Sequence, residues 1–335
     1  MMKAFIVKKY SKTEQLQLTD VAEPLMKDNE VLVQIYAAGV NLLDSMIKRG
    51  EFKLFLPYKT PIINGHDMAG TIVKVGSRVK KFKIGDEVYS RVGDYRIGTF
   101  AEYIAVNESD LALKSKNLTM EEAASIPLVG LTSWQALVEI AKLKKGQKVF
   151  IQAGSGGVGT FAIQLAKHLG AFVATTTSTT NIDLVKSLGT DLVIDYKKED
   201  FETKLINYDF VLHSNRDPEI LEKSFRILKP GGQLISLVGP PTPEFAQEIG
   251  LPWYLKLVTK LISAGAKKKA KKLNTTFKFL FMRAEGSQLQ QITQLIESGI
   301  IKPVIDKVFP FEQTNDAMAY VESGRTKGKV VIKIK

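Results

Sequence analysis

The sequence predicts a two-domain α/β chain in which a β-rich unit is joined to a doubly wound parallel sheet. Three observations predict this. The 335 residues exceed what a single hydrophobic core ordinarily organises. The first 110 residues or so read as short alternating strands and turns, and the region from about 148 onward alternates strands with helices. A glycine-rich turn links the first strand of that second region to its first helix.

Taken in order, "KAFIVKKY", "EVLVQIYAAGV", "AGTIVKVGSRV", "GDEVYSRV" and "FAEYIAV" carry the apolar alternation and frequent glycine of a compact β-rich unit. "KVFIQA" is a buried-strand run. After the glycine turn, Val158, Phe161, Ala162, Leu165, Ala166 and Leu169 recur at helical spacing. The rhythm continues through strand "AFVATTT", helix "NIDLVKSLG", strands "DLVID" and "YDFVLHS", helix "EILEKSFRILKPGG" and strand "QLISLVG". Such alternation implies a parallel sheet with helices on both faces. The last strand, "GKVVIKIK", is placed to return to the first domain.

Composition narrows the function classes. Hydrophobic residues at 44% and charged residues at 24% are those of a soluble globular protein. No apolar run has the length of a membrane span, and the N-terminal apolar stretch is too short for a signal peptide. A cytoplasmic location is expected. Zero cysteine excludes disulfides, thiolate nucleophiles and cysteine-rich zinc sites. The net charge is +12, and nine of those charges lie between Leu251 and Arg283, where there is no Asp or Glu. Within that segment Tyr254, Leu255, Val258, Leu261 and Ile262 recur at helical spacing before five lysines in six residues. It reads as a solvated basic helix or a lid, or as a peripheral contact with anionic membrane through residues 251–283. Nucleic acid is the least favoured partner, because the positive charge is confined to this one segment.

In "AGSGGVG", Gly154, Gly156 and Gly159 have the G-x-G-x-x-G spacing between a strand and a helix. Gly154 is expected to permit the tight turn, Gly156 to let the backbone approach a pyrophosphate and Gly159 to allow close helix packing. With Ser155, Gly157 and Val158 they form a dinucleotide cradle, because a helix N-terminus offers unpaired N–H groups to phosphate. The next strand ends in "TTTSTTN" without an acid, and a carboxylate there would repel a 2′-phosphate. Ser178, Thr179 and Asn181 can donate to that phosphate or cap the following helix, so NADP(H) is the expected cofactor. "LVGPP", with Gly239, ends the last core strand where such sheets place the nicotinamide.

Beyond these features, "AAGVNLLDSMIKRG", "GHDMAGTIVKVG", "GTFAEYIAV", "AASIPLVGLTSWQAL", "AGSGGVGTFAIQLAKHLGA" and "GRTKGKVVI" occur in that order. The chain thereby resembles the medium-chain dehydrogenase/reductase superfamily and, within it, the zinc-independent quinone oxidoreductase group of zeta-crystallin-like and enone reductases. The resemblance covers nearly the whole chain. It implies a GroES-like catalytic domain over 1–121 and a Rossmann NADP-binding domain over 122–284. The basic helical insertion spans about 245–273, and 285–335 returns to the catalytic domain. It also implies a homodimer formed through edge strands such as "TTFKFLFMR". In zinc-dependent relatives the metal ligands fall at Asn41, at His66 and near Leu128, so two of three ligands are lost and no metal is expected. His66 is expected to hydrogen-bond within its own domain.

Without a metal, the electrophile must be intrinsically activated, as a quinone or an α,β-unsaturated carbonyl is. The resemblance implies hydride transfer from NADPH to such an acceptor. It places Asn41 at the site floor with its amide facing the developing oxyanion, Thr132 near the nicotinamide and Tyr58 as a proton donor or aromatic wall. Met46 and Phe52 stand where some bacterial quinone reductases have tyrosines, giving a more apolar pocket or plain packing. Tyr196 and Arg325 are implied partners of the 2′-phosphate and adenine end. The alternative is a catalytically weak NADP(H)-bound binding or sensor protein that uses its basic patch.

Overall fold

The computed structural model describes residues 1–335. Two compact units form, Met1–Leu131 with Arg283–Lys335, and Thr132–Met282. Unit 1 opens with β1 (Met2–Val7), β2 (Gln17–Val21), β3 (Glu30–Val40) and helix α1 (Leu42–Lys48). It continues with β4 (Ile62–Ile63), β5 (Asp67–Val75), β6 (Glu87–Arg91), β7 (Tyr103–Asn107) and β8 (Leu111–Leu113). Two helices follow, α2 (Met120–Ala124) and α3 (Pro127–Trp134). The sequence places the first boundary at residue 121, whereas α2 packs on β3 and β5 and so belongs to unit 1.

Unit 2 contains β9 (Lys148–Ile151), α4 (Gly157–His168), β10 (Phe172–Thr177), α5 (Ile182–Ser187) and β11 (Leu192–Asp195). Its second half contains β12 (Tyr208–His213), α6 (Pro218–Arg226), β13 (Leu228–Ser236), α7 (Pro243–Glu248), α8 (Trp253–Lys272) and β14 (Thr276–Phe279). The chain then rejoins unit 1 through α9 (Gly286–Glu297), β15 (Ile305–Pro310), α10 (Thr314–Glu322) and β16 (Lys329–Lys333). The "LKPGG" segment, read from sequence as the tail of a helix, instead opens β13, and α6 stops at Arg226.

The sheet of unit 2 runs β11-β10-β9-β12-β13-β14, and every neighbouring pair is parallel. That is the doubly wound order 3-2-1-4-5-6, whose ligand site lies at the switch point between the first and fourth strands, here β9 and β12. Leu192, Ala174, Phe150, Val211, Leu234 and Phe277 sit side by side across the six strands. All six join one core cluster with Phe225 of α6 and Ala270 of α8. Strands buried on both faces explain why these segments read as continuous apolar runs.

In unit 1 a seven-stranded sheet follows β15-β16-β3-β5-β6-β8, with β7 also pairing β3. A three-stranded sheet, β2-β1-β4, accompanies it. Strand β3 sends Val31, Val33 and Ile35 into one core cluster and Ala38 and Val40 into another. The pairing register with β5 shifts between Ile35 and Ala37, and the extra residue moves the alternation to the other face. As expected, β16 returns to pair antiparallel with β3, setting Val330 opposite Val40.

Candidate functional site

Each unit carries its own group of candidate residues. In unit 2 the glycine turn follows β9 at the carboxyl end of the sheet. Its tightest point is Ala153, at φ 52, so the left-handed residue is Ala153 and not Gly154 as the motif suggests. Gly154 is required for another reason. A Cβ on it would stand 2.2 Å from the Thr175 hydroxyl of β10. A Cβ on Gly159 would stand 2.3 Å from the Ala153 carbonyl oxygen, which is the helix-packing role expected of it. Gly156 caps α4, and a Cβ there would meet only the Ala153 carbonyl at 3.3 Å. The amides that open α4, at Gly157 and Val158, point out of the helix without intrahelical acceptors, as any helix start leaves them. A turn packed this closely between β10 and α4, ending on a helix N-terminus with Gly156 nearly free of neighbours, fits a pyrophosphate.

The end of β10 is free of acids, but the end of β11 supplies one that the sequence reading missed. Thr179 donates its hydroxyl to Asp195 Oδ2 at 2.5 Å. Asp195 also accepts from the Lys197 amide at 3.1 Å and faces the Lys198 ammonium at 3.7 Å. Chiefly through the Thr179 hydrogen bond, its carboxyl is held below the usual range. Thr179 is thus turned toward Asp195, a correction to its expected role as a phosphate donor. Ser178 retains only a hydroxyl contact with Thr180 at 3.2 Å, and Asn181 bonds Ser155 of the glycine turn at 3.2 Å. Tyr196 is exposed, and so is Arg325 in the turn before β16 of unit 1. Gly239 follows β13, where its amide donates to Ser236 Oγ at 2.8 Å.

The same hydroxyl contacts His213 Nδ1 at 2.8 Å, at the carboxyl end of β12. His213 is buried with Nε2 unpartnered, and burial pushes its pKa down to about 4. The unfolded chain, with an ordinary histidine near 6.5, binds the proton more tightly. Stability is therefore complete above pH 6.5 and falls as pH drops through 4, by about 3 kcal/mol in all. We expect His213→Gln to flatten the pH dependence of urea midpoints between pH 7 and 4. An unchanged slope would contradict the assignment.

In unit 1 the adjacency β16-β3-β5 brings three polar side chains together. Asp67 opens β5 opposite Gly39, Asn41 follows β3, and Lys329 opens β16. Gly39 makes the space, since a Cβ on it would stand 2.4 Å from the Ala124 carbonyl and 3.0 Å from Asp67 Cβ. The Lys329 ammonium donates to Asn41 Oδ1, and to Asp67 Oδ2 at 3.2 Å. Asn41 Nδ2 donates to Asp67 Oδ2 at 2.9 Å, and the Leu128 amide donates to Asp67 Oδ1 at 2.8 Å. An ammonium can only donate and a carboxylate can only accept, so the Asn41 amide has one orientation here. Its nitrogen faces inward, which corrects the expectation that it donates to a substrate oxyanion. Burial raises the Asp67 carboxyl above the usual range, against the pull of Lys329 and Asn41.

Behind this group, Asp44 of α1 accepts from the Asn41 backbone N–H at 2.7 Å and contacts His66 Nδ1 at 2.6 Å. His66 is fully buried, and its Nε2 has no partner. The Tyr58 hydroxyl is also buried without a partner, and its carbonyl accepts from Tyr10 at 2.9 Å. Burial pushes the Tyr58 phenol upward, which makes it a weak acid for proton delivery. Thr132 is buried on α3, while Met46 and Phe52 are half-buried.

Comparison with known proteins decides the family. Residues 188–332 match the family described as zinc-binding dehydrogenase, and 27–116 match the alcohol dehydrogenase GroES-like domain. The chain is 38% identical over 342 residues to 2-methylene-furan-3-one reductase of Solanum lycopersicum, covering 99% of this chain and 79% of that one. The chain belongs to the zinc-independent quinone and enone oxidoreductase group of the medium-chain dehydrogenase/reductase superfamily.

Among other members of this oxidoreductase group, the chloroplastic NADPH-dependent alkenal/one oxidoreductase of Arabidopsis thaliana is 36% identical, over 99% of this chain and 79% of that one. The solved quinone oxidoreductase of Coxiella burnetii superposes with a TM-score of 0.86 at 28% identity, covering 100% of this chain and 99% of that one. The GroES-like and Rossmann architecture is therefore shown. The chain is an NAD(P)H-dependent oxidoreductase with a nicotinamide cofactor.

Zinc, named in one matching family, does not fit the residues present. Both Asp67 oxygens are committed, Asn41 and Leu128 offer no thiolate or carboxylate, and His66 Nε2 alone falls short of the three protein ligands a catalytic zinc needs. No group of three His, Cys, Asp or Glu side chains converges anywhere in the chain. No helix is long and apolar enough to cross a membrane.

Proposed function

We propose that the protein is an NADPH-dependent reductase of quinones or α,β-unsaturated carbonyls that works without zinc. The observation that carries the reading is the cradle of Gly154, Gly156 and Gly159 at the β9/β12 switch point of the parallel sheet. When bound, the dinucleotide supplies hydride to the β-carbon of an enone, and one proton from the medium completes the saturated carbonyl and NADP⁺. The chain's residues bind and orient it. The α4 N-terminus would take the pyrophosphate, and Gly239, just after β13, lies at the strand ends where such sheets hold the nicotinamide. The acid-free end of β10 supports the phosphorylated cofactor, and so does the engagement of Asp195 by Thr179 and the Lys197 amide.

The test is cofactor oxidation with NADPH and NADH against quinones, enones and saturated aldehydes, before and after chelator treatment. NADPH should be preferred, and only activated acceptors should turn over. Ser178→Asp places a carboxylate beside the 2′-phosphate and should shift the NADPH/NADH ratio toward NADH by at least about tenfold. An unmoved ratio would place the discriminating contact elsewhere.

For partners, we propose a homodimer through β14, the outer strand of the unit 2 sheet, and peripheral contact with anionic membrane through α8. Leu255, Thr259, Ser263 and Ala270 form the buried face of α8, and Lys267 and Lys269 pin it to Glu244 and Glu222 at 2.6 and 2.7 Å. Trp253, Tyr254, Leu257, Val258, Leu261 and Ile262 are exposed. Exposed Lys268, Lys271 and Lys272 follow them. An apolar face with an adjoining basic end is the composition of an interfacial helix. Cosedimentation with phosphatidylglycerol vesicles at low salt, lost in Leu261→Glu, is the expected outcome; no binding at low salt would remove the membrane contact. We also propose a cytoplasmic location, consistent with the absence of cysteine.

A further inference from the structure

The loop that leaves β13 folds back onto the end of its own strand. The Gly239 backbone N–H donates to Ser236 Oγ at 2.8 Å, and the Val238 N–H reaches the same oxygen at 3.4 Å. A side chain would prevent this approach, since a Cβ on Gly239 would stand 2.6 Å from that oxygen and 3.2 Å from Phe277 Cζ. The third neighbour of the hydroxyl is His213 Nδ1, at 2.8 Å. The two backbone groups can only donate, so the imidazole nitrogen is the one that accepts the Ser236 proton. This sets the neutral tautomer of His213, with its own proton on Nε2, and turns the Ser236 lone pairs to the two backbone N–H groups. His213 is fixed on both sides. Its carbonyl accepts from the Leu237 N–H at 2.9 Å, and the N–H of the next residue, Ser214, donates to Oε1 of Gln152, which follows β9, at 3.1 Å. Phe210, Val211 and Leu212 before it are the apolar residues expected of a buried strand, whereas its own Nε2 is buried without a partner. An imidazole that pairs through one nitrogen is costly to bury, and what it secures is the course of Leu237, Val238 and Gly239.

We propose that Ser236 and His213 are positioning residues for the nicotinamide end of the cofactor. The imidazole takes the serine proton, the lone pairs so freed hold the Val238 and Gly239 N–H groups, and the loop keeps one conformation at the strand ends where such sheets hold that ring. The inference rests on the reading above that NADPH binds across these strand ends. Hydride transfer needs the ring at reacting distance, and a loop that is already folded spares the cofactor the cost of ordering it. The sheet divides at the switch point into two halves, β11-β10-β9 and β12-β13-β14. The glycine turn and the acid-free end of β10 belong to the first half, and Ser236 and His213 belong to the second. The two ends of the dinucleotide should therefore respond separately to substitution.

The test measures binding of NADPH and of 2′,5′-ADP, which carries the adenosine end without the nicotinamide, beside thermal midpoints. The variants are Ser236→Ala, His213→Leu and His213→Asn. Ser236→Ala and His213→Leu should weaken NADPH at least about tenfold, while 2′,5′-ADP stays within about twofold of wild type. His213→Asn should recover most of the NADPH affinity, because its Oδ1 stands close to where Nδ1 was and accepts the same proton. A pair with only a structural role would lower the midpoint and weaken both ligands together, or neither, and either pattern overturns the proposal. NADPH bound as weakly by His213→Asn as by His213→Leu overturns it as well. If a His213 variant does not fold, Ser236→Ala, which removes a single oxygen, decides alone. Wild type that binds neither ligand contradicts the NADPH reading itself and takes this inference with it. Wild type that binds both, with every variant alike, contradicts this inference alone.

Discussion

Replacing Gly159 with alanine is expected to lower NADPH affinity at least about tenfold and stability by about 1–3 kcal/mol together. The new Cβ would stand 2.3 Å from the Ala153 carbonyl oxygen and 2.6 Å from the Gly154 Cα. Both are backbone atoms that no rotamer change can move aside. Helix α4 must withdraw from the turn after β9, which spoils the turn and the anion site at the helix start in one step. Gly156→Ala is the informative contrast. Its Cβ meets the Ala153 carbonyl at 3.3 Å and little else, so the empty protein should keep its thermal midpoint while losing the close approach of the pyrophosphate. Fluorescence titration with NADPH beside thermal unfolding separates the two variants. Equal affinities across both and wild type would remove the cradle from the binding site.

The second large effect is expected at Asp44. Its carboxylate serves His66 Nδ1 and the Asn41 backbone N–H at once, and its carbonyl accepts from Asn64 Nδ2 at 3.0 Å. Asp44→Ala would leave a fully buried imidazole with no partner on either nitrogen and release the N-terminal turn of α1. We expect a loss of about 3 kcal/mol, the sum of an abandoned buried donor and a missing cap. Asp44→Asn retains one acceptor and should lose roughly half of that. Urea denaturation of the three proteins decides the matter, and an Asp44→Ala variant as stable as wild type would show that the pair carries no load.

Periodicity and glycine spacing are local, and they made the architecture and the nucleotide cradle legible in the sequence. The strand and helix rhythm of unit 2 needed only windows of six to twelve residues, and the row from Leu192 to Phe277 arises because each of the six strands carries an apolar residue at that level. What the sequence did not disclose depends on pairing across long separations. Lys329 lies in a quoted motif, but its partners Asn41 and Asp67 are 288 and 262 residues away and meet it only because β16 returns beside β3. The Asn41 amide was assigned to the substrate because the cation opposite it was unseen. Asp195 was missed for a similar reason, since the search for an acid stopped at β10 and the carboxylate comes from the neighbouring β11. At the glycine turn the motif assigned the tight turn to Gly154, whereas the left-handed conformation falls on Ala153 before it.

The central claim is metal-independent hydride transfer from NADPH to an activated carbon. Its most direct measurement uses NADPH deuterated at the transferring position of the nicotinamide, chelator-treated protein and a simple enone, with the product read by NMR. The expected product is a saturated ketone carrying deuterium at the β-carbon, formed at the same rate with and without chelator treatment. Deuterium on the carbonyl carbon, or turnover that disappears with chelator and returns with zinc, would contradict it.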